Sequence, residues 1–156
     1  MRLSENEYKF RSELLADKIT SELSDKTLSK RRLVMATTSK DFIGTVSETE
    51  FSIIDSFFPI GAGCVIKGEI GNDAVVSLKT SLHKPFLVLY YIWLSLVSVA
   101  LVVLGFTVLS LFEFLNFSVL LIIGAIAFRL FIHVVYVVAR NHALEKIKSI
   151  LRVLPV

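Results

Sequence analysis

What this sequence lacks narrows it first. Its single cysteine, Cys64, excludes a disulfide framework, and three histidines without any paired Cys/His spacing exclude a zinc module. Cys64 reads as a small buried hydrophobe. Before the first long apolar run there is no catalytic triad, no glycine-rich phosphate loop and no carboxylate pair, so neither a cofactor nor a metal is expected. Charge is also missing over long stretches: residues 85–112 carry none, and residues 114–139 carry only Arg129.

What is present is apolar. Of 156 residues, 54% are hydrophobic and 20% charged, with a mean hydropathy of +0.69, which excludes a disordered chain. Residues 1–84 balance 12 basic against 12 acidic side chains, and the net charge of +3 arises after residue 139, where Arg140, Lys146, Lys148 and Arg152 face only Glu145. Basic residues flanking apolar runs fit the positive-inside bias and attraction to anionic lipid. Nucleic acid is not an expected partner, since no RNP-like or helix-turn-helix pattern accompanies the charge. Lys30, Arg31 and Arg32 read as a solvated turn.

Roughly 20 apolar residues span a bilayer, so residues 85–112 and 114–139 predict two transmembrane helices. Ser110, Glu113 and Asn116 between them predict a short turn and hence an antiparallel hairpin. Lys79 and Lys84 precede it and the basic tail follows it, which puts both termini in the cytosol. No apolar leader opens the chain, so the hairpin itself is expected to target it to the cytoplasmic membrane. The predicted organisation is a cytosolic α+β region at 1–84, a membrane hairpin at 85–139 and an amphipathic tail helix at 140–156.

With the turn near Phe114, residues whose numbers add to about 229 lie level. Trp93 then meets Tyr136 and, with Tyr90 and Tyr91, forms an interfacial aromatic belt, while Arg140, Lys146, Lys148 and Arg152 lie at the head groups. Gly105 faces Gly124, where small residues allow close backbone approach. Arg129 falls about seven residues, or roughly 10 Å, inside that belt, where a charge is costly. His133 lies one turn away on the same face, and Ser95 and Ser98 lie between their levels. The four residues predict an intramembrane polar cluster. Either Arg129 snorkels to the head groups and fixes the hairpin's depth, or the cluster lines a seam between hairpins of an oligomer.

Outside the apolar runs, residues 64–70 and 76–82 alternate in the two-residue period of strands about the turn Gly71-Asn72-Asp73. Residues 42–46 and 51–54 form a second, shorter hairpin, with Gly44 weakening its first strand or marking a bulge, and Pro59, Gly61 and Gly63 separate the pairs. Ser12 is the expected cap of a helix at 13–23 that buries Leu14, Leu15, Ile19 and Leu23, and the alternation of Tyr8 and Phe10 makes a possible fifth strand. Leu144, Ile147, Leu151 and Leu154 give the tail an apolar stripe. That stripe continues the membrane helix, lies in the interface or covers the sheet, and the small sheet's need for a cover favours the last.

The pieces Phe42-Ile43-Gly44-Thr45-Val46, Cys64-Val65-Ile66-Lys67-Gly68-Glu69-Ile70 and Ser81-Leu82-His83-Lys84-Pro85-Phe86 resemble a group of small bacterial membrane proteins. In that group a β-rich stretch leads through a Leu-His-Pro-Phe junction into two spans; here Lys84 separates His83 from Pro85. The resemblance implies the architecture, a membrane α+β protein with a small antiparallel sheet, and no functional residue.

Three function classes follow. The first is a non-catalytic membrane-anchored module whose cytosolic part binds a protein partner or another copy, with membrane lipids around the hairpin. The second is a pore-forming or ion-conducting oligomer lined by Arg129, His133, Ser95 and Ser98. The third is an enzyme using Arg129, His133, Arg140 and His142, for which a polar substrate would have to enter a lipid-bounded helix.

Overall fold

A computed structural model describes residues 5–30, 38–57, 63–71, 74–107 and 111–152, with the side chains of 111 and 112 excepted. The chain forms two compact units, one of Lys84–Val134 and one joining Met1–His83 to Val135–Val156. This division crosses the expected one, because the last part of the second long helix belongs with the sheet.

The sheet has six strands in the order β1-β6-β5-β4-β3-β2, namely β1 (Asn6–Arg11), β2 (Thr27–Ser29), β3 (Phe42–Val46), β4 (Glu50–Asp55), β5 (Cys64–Ile70) and β6 (Val75–Leu82). Both expected hairpins form, pairing Val46 with Phe51 and Ile70 with Val76. The strand read from Tyr8 and Phe10 adds to β6, with Tyr8 opposite Leu78. Two details differ from expectation. The sheet is mixed rather than antiparallel, because β2, a strand the periodicity does not announce, runs parallel to β3. Gly44 makes no bulge: it stays opposite Ile53, and a β-carbon there would collide with the Ser52 carbonyl, so glycine is needed for the close approach of β4. At the β5–β6 turn the Gly71 N–H donates to Val75 O and Ala74 takes a left-handed φ of 60°. Asn72, Asp73, Arg31, Arg32, Pro59, Gly61, Ser110 and Leu154 lie outside the described residues.

Partners across a ladder share a face and neighbours along a strand alternate, so Tyr8, Phe10, Val76, Leu78, Thr80, Ile66, Ile53, Asp55 and Phe42 lie on one face. On the other lie Glu7, Lys9, Lys79, Lys67, Glu69 and Ser52, with a small apolar cluster of Ile43, Ile54, Val65 and Leu28 at one end. The strand burial patterns follow this division, and β6 alternates throughout with its even-numbered residues buried.

The first helix, α1 (Ala16–Lys26), starts three residues later than expected and buries Ile19 and Leu23, while Leu15 is 72% exposed. Ser12 is not its cap. Its hydroxyl accepts the Leu14 N–H at 3.0 Å and donates to the Leu151 carbonyl at 2.5 Å, so it is engaged with another helix's last turn. Asp17 in the first turn and Lys26 in the last suit the helix dipole.

Two long helices complete the chain, α2 (Lys84–Thr107) and α3 (Leu111–Leu151), both long and apolar enough to cross a membrane. The tail is not a separate helix. It is the end of α3, and residues 135–151 also cover the sheet, so two of the three alternatives hold together. Val135 and Ala139 lie against Gly63, Ile147 and Leu151 are fully buried, and Leu144 and Ile150 are nearly so.

Within the other unit, Trp93 packs on Phe128 with ring centroids 5.2 Å apart, and Gly105 faces Phe114. Level partners therefore add to about 220, not 229, because α3 already begins at Leu111 and Phe114 lies within its first turns. Three expectations change with it. Trp93 is not level with Tyr136, Gly105 does not face Gly124, and Gly124 has open space over its α-carbon. Arg129, next to Phe128, lies at the level of Trp93 rather than 10 Å inside it.

Candidate functional site

The strongest concentration of polar chemistry in the sheet unit is around Asp55, the last residue of β4, which is 1% exposed. An ionised carboxylate is stable there only if its lone pairs are filled. Its Oδ2 lies 2.6 Å from His142 Nδ1. Its Oδ1 accepts from Lys146 Nζ at 2.9 Å and from the Phe57 N–H at 2.9 Å. Lys146 also approaches Asp41 Oδ1 at 4.0 Å and lies over the Phe42 ring at 5.9 Å. His142 and Lys146 are one turn apart on α3, so both side chains leave the same helix face toward the end of β4. The imidazole is further held against Phe57 at 5.0 Å.

A carboxylate orienting an imidazole supplies two of the three members of a nucleophilic triad, so the third member decides what the pair can do. Cys64 is the nearest thiol in the ladder, one step past the Val65–Ile54 pair. It is fully buried, and burial pushes its pKa from 9.0 up to about 12 against the opposing pull of Arg140. A thiol in that state is inert as a nucleophile. Among the described residues no group of three His, Cys, Asp or Glu side chains is placed to hold a metal ion. The Asp55 contacts pin residues 142–146 of α3 to the end of β4.

A second pin lies further along the helix. Tyr136, expected at a lipid interface, is 2% exposed, and its hydroxyl lies 3.0 Å from Thr80 Oγ1 and accepts from Asn6 at 3.4 Å. The remaining basic residues are likewise occupied with the sheet unit. Arg140 stacks over Tyr136 at 5.7 Å and donates to Asn141, and Lys148 lies 5.3 Å from the Phe10 ring. Arg152 is exposed with φ 46° at the end of α3.

Of the expected intramembrane cluster, Arg129 and His133 lie one turn apart on α3, and the two serines are placed on α2. Ser98 donates to its own helix at Leu94 O, 2.9 Å away. By the corrected levels it lies about seven residues from Arg129, roughly 10 Å along the axis. Ser95 opens outward into a shallow apolar depression beside Tyr91, Leu96 and Val99. Arg129 and His133 are exposed on α3, and Tyr90 and Tyr91 lie against each other at 5.8 Å. Of the residues singled out from sequence, His142 and Lys146 are brought together, and the group they share, Asp55, was missed. Its signal was an acid in the inward series Phe51, Ile53, Asp55, facing a helix with basic residues at i and i+4.

No protein-family model, curated protein or solved structure matches this chain.

Proposed function

We propose that this protein is a non-catalytic, membrane-anchored interaction or assembly module of the cytoplasmic membrane. In this reading α2 and residues 111–134 of α3 form the anchor, and the sheet unit works on the cytosolic side with both termini. One observation carries the reading: of the 23 large hydrophobic side chains that are exposed among the described residues, 20 belong to Lys84–Val134. Water does not tolerate an apolar surface of that extent, whereas lipid does. Each of these two segments has 24 residues, about 36 Å at 1.5 Å per residue, enough to cross a hydrocarbon core about 30 Å thick.

The orientation rests on Lys79, Lys84 and the basic residues after 139, against the opposite end of the hairpin, where the first turn of α3 carries Glu113. The non-catalytic reading rests on Asp55, whose oxygens are committed to His142, Lys146 and Phe57. The resemblance of residues 41–86 to small two-span bacterial proteins agrees with the anchor. A pore lined by Arg129 and Ser98 is disfavoured by their separation along the hairpin.

The test is reconstitution of the full chain in lipid vesicles, with salt and alkaline extraction, ion-flux assay and determination of associated mass. The module reading expects resistance to extraction, association with itself or a partner, and no flux. Flux abolished by Arg129→Leu would replace it with the channel reading.

A further inference from the structure

The geometry of β1 points to a second copy of this chain as the partner: we propose that two sheet units join edge to edge through antiparallel pairing of β1 with β1. This names the partner within the assembly reading and rests on it.

β1 is the last strand on its side of the sheet. Its free edge can be read from the ladder. Ser12 N–H donates to Ala74 O at 2.9 Å, continuing the register that sets Asn6 opposite Thr80 and Phe10 opposite Val76. In an antiparallel ladder alternate residues turn both main-chain groups to the partner, so the even-numbered residues of β1 bond β6. The N–H and C=O groups of Glu7, Lys9 and Arg11 therefore point away from the sheet.

Natural sheets commonly place lysine on such an edge to discourage pairing, and a strand of uniform charge would do so here. The positions whose main-chain groups point outward instead read Glu7, Lys9 and Arg11 in β1, with Glu5 just before it. A second copy must also offer odd-numbered residues to make hydrogen bonds, which restricts the register to odd against odd. Centring the pair on Tyr8 sets Glu7 opposite Lys9 of the second copy and Glu5 opposite its Arg11. Each contact is made twice by symmetry, so every charged pair is attractive. Shifting the centre to Glu7 sets Glu7 on Glu7, and shifting it to Lys9 sets Lys9 on Lys9. Charge thus selects one register out of the three, and opposite charges directly across a ladder stabilise it.

The charges next to β1 fit the same ladder. Lys79 on β6 bridges Glu5 at 3.5 Å and Glu7 at 3.7 Å, so a paired β1 would continue the alternation of sign from β6 across the junction. Lys9 and Arg11 have no ion pair among the described residues and are exposed. On the covered face Tyr8 of each copy would meet at the two-fold axis, beside the Tyr8–Phe10 stack at 6.1 Å. An isologous contact of this kind closes on itself and yields a dimer rather than a filament.

Self-association of the labelled full chain in lipid vesicles, followed by energy transfer on dilution with lipid, tests the proposal. Lys9→Glu sets one acidic side chain against another in both symmetric contacts and is expected to weaken the dimer by about tenfold or more. Glu7→Lys should weaken it similarly. Mixing the two variants restores both attractive contacts, so heterodimers should form at the wild-type level, which also shows that each variant folds. Tyr8→Cys should give a disulfide dimer under mild oxidation, since directly opposite residues in a non-hydrogen-bonded pair lie about 4.5 Å apart at Cα, whereas Asn6→Cys should not. Unchanged association of Lys9→Glu without cross-linking at position 8 would overturn the proposal and leave assembly through another surface standing. A wild-type chain that stays monomeric at every dilution would also overturn it, and the anchored-module reading would then rest on its own extraction and flux measurements.

Discussion

The two units of this chain use the same apolar residue types in opposite ways. In the sheet unit the strands alternate, one face is polar apart from the cluster of Ile43, Ile54, Val65 and Leu28, and the last part of α3 lies on the other; only Leu15, Phe57 and Val138 are large, apolar and exposed among its described residues. In Lys84–Val134 the order reverses, with Val97 and Ile132 buried and most of the aliphatic surface turned outward. A soluble unit has to hide its apolar surface within itself, while a lipid-embedded one need hide only its polar backbone, which helices do. On the membrane-anchor proposal, the contrast between period-two alternation and unbroken hydrophobicity is a contrast of solvents.

Residues 135–151 of α3 stand at the junction of these regimes, and changing them should break the comparison most severely. Removing residues 143–156 takes away Leu144, Ile147, Ile150 and Leu151, each contributing about 1.5–3 kcal/mol of burial. A loss comparable to a small domain's whole net stability is at stake. The expected outcome is a protease-sensitive sheet unit on a still membrane-retained hairpin, and undiminished protease resistance would contradict the assignment of this helix to the sheet.

The buried ion cluster is the next largest effect. Lys146→Met leaves Asp55, whose side chain is fully buried, without its main cation. Stranding a buried charge costs about 3 kcal/mol or more, and denaturant unfolding of the sheet unit should register it. Double replacement of Asp55 and Lys146 by apolar residues of similar size should recover much of that loss.

These features were unequally legible in the sequence. Alternation announced β5, β6 and the β3–β4 hairpin because one face of each is buried and the period of two is local information. The parallel strand β2 was not announced, since three residues carry no period and their pairing with β3 is set by the rest of the fold. The position of α1 was misjudged because Ser12 has the chemistry of a cap but serves the C-terminal turn of α3, a contact 139 residues away in sequence. Asp55 was missed for the same reason, as its partners lie 87 and 91 positions downstream. The hairpin's level rule failed only in its origin. Apolar residues fill the turn region so evenly that composition did not show where the helix breaks.

Smaller effects sharpen the picture. Because Cys64 stays neutral in the folded chain up to about pH 12 but ionises from about 9.0 when unfolded, its contribution to stability is complete below pH 9 and lost as pH rises toward 12. The wild type should therefore lose stability above pH 9 more steeply than Cys64→Ala, by up to about 1.4 kcal/mol per pH unit. Parallel slopes in alkaline unfolding would contradict burial of the thiol. Smallest of all should be Arg129→Lys. With Arg129 level with Trp93, lysine's stem reaches the head groups about as well, so membrane insertion measured by a reporter fusion should be nearly unchanged.

The central claim is that Lys84–Val134 lies in lipid, and the chain carries its own probe, since Trp93 is its single tryptophan. Trp93 is 37% exposed on α2 and packs on Phe128 beside Arg129. Its fluorescence should be measured in vesicles of lipids brominated at successive chain positions. The account predicts strong quenching, greatest for bromines in the outer part of the acyl chain and weaker for those at the bilayer centre. Tryptophan emission unaffected by bromine at every depth, with quenching by aqueous iodide instead, would contradict it.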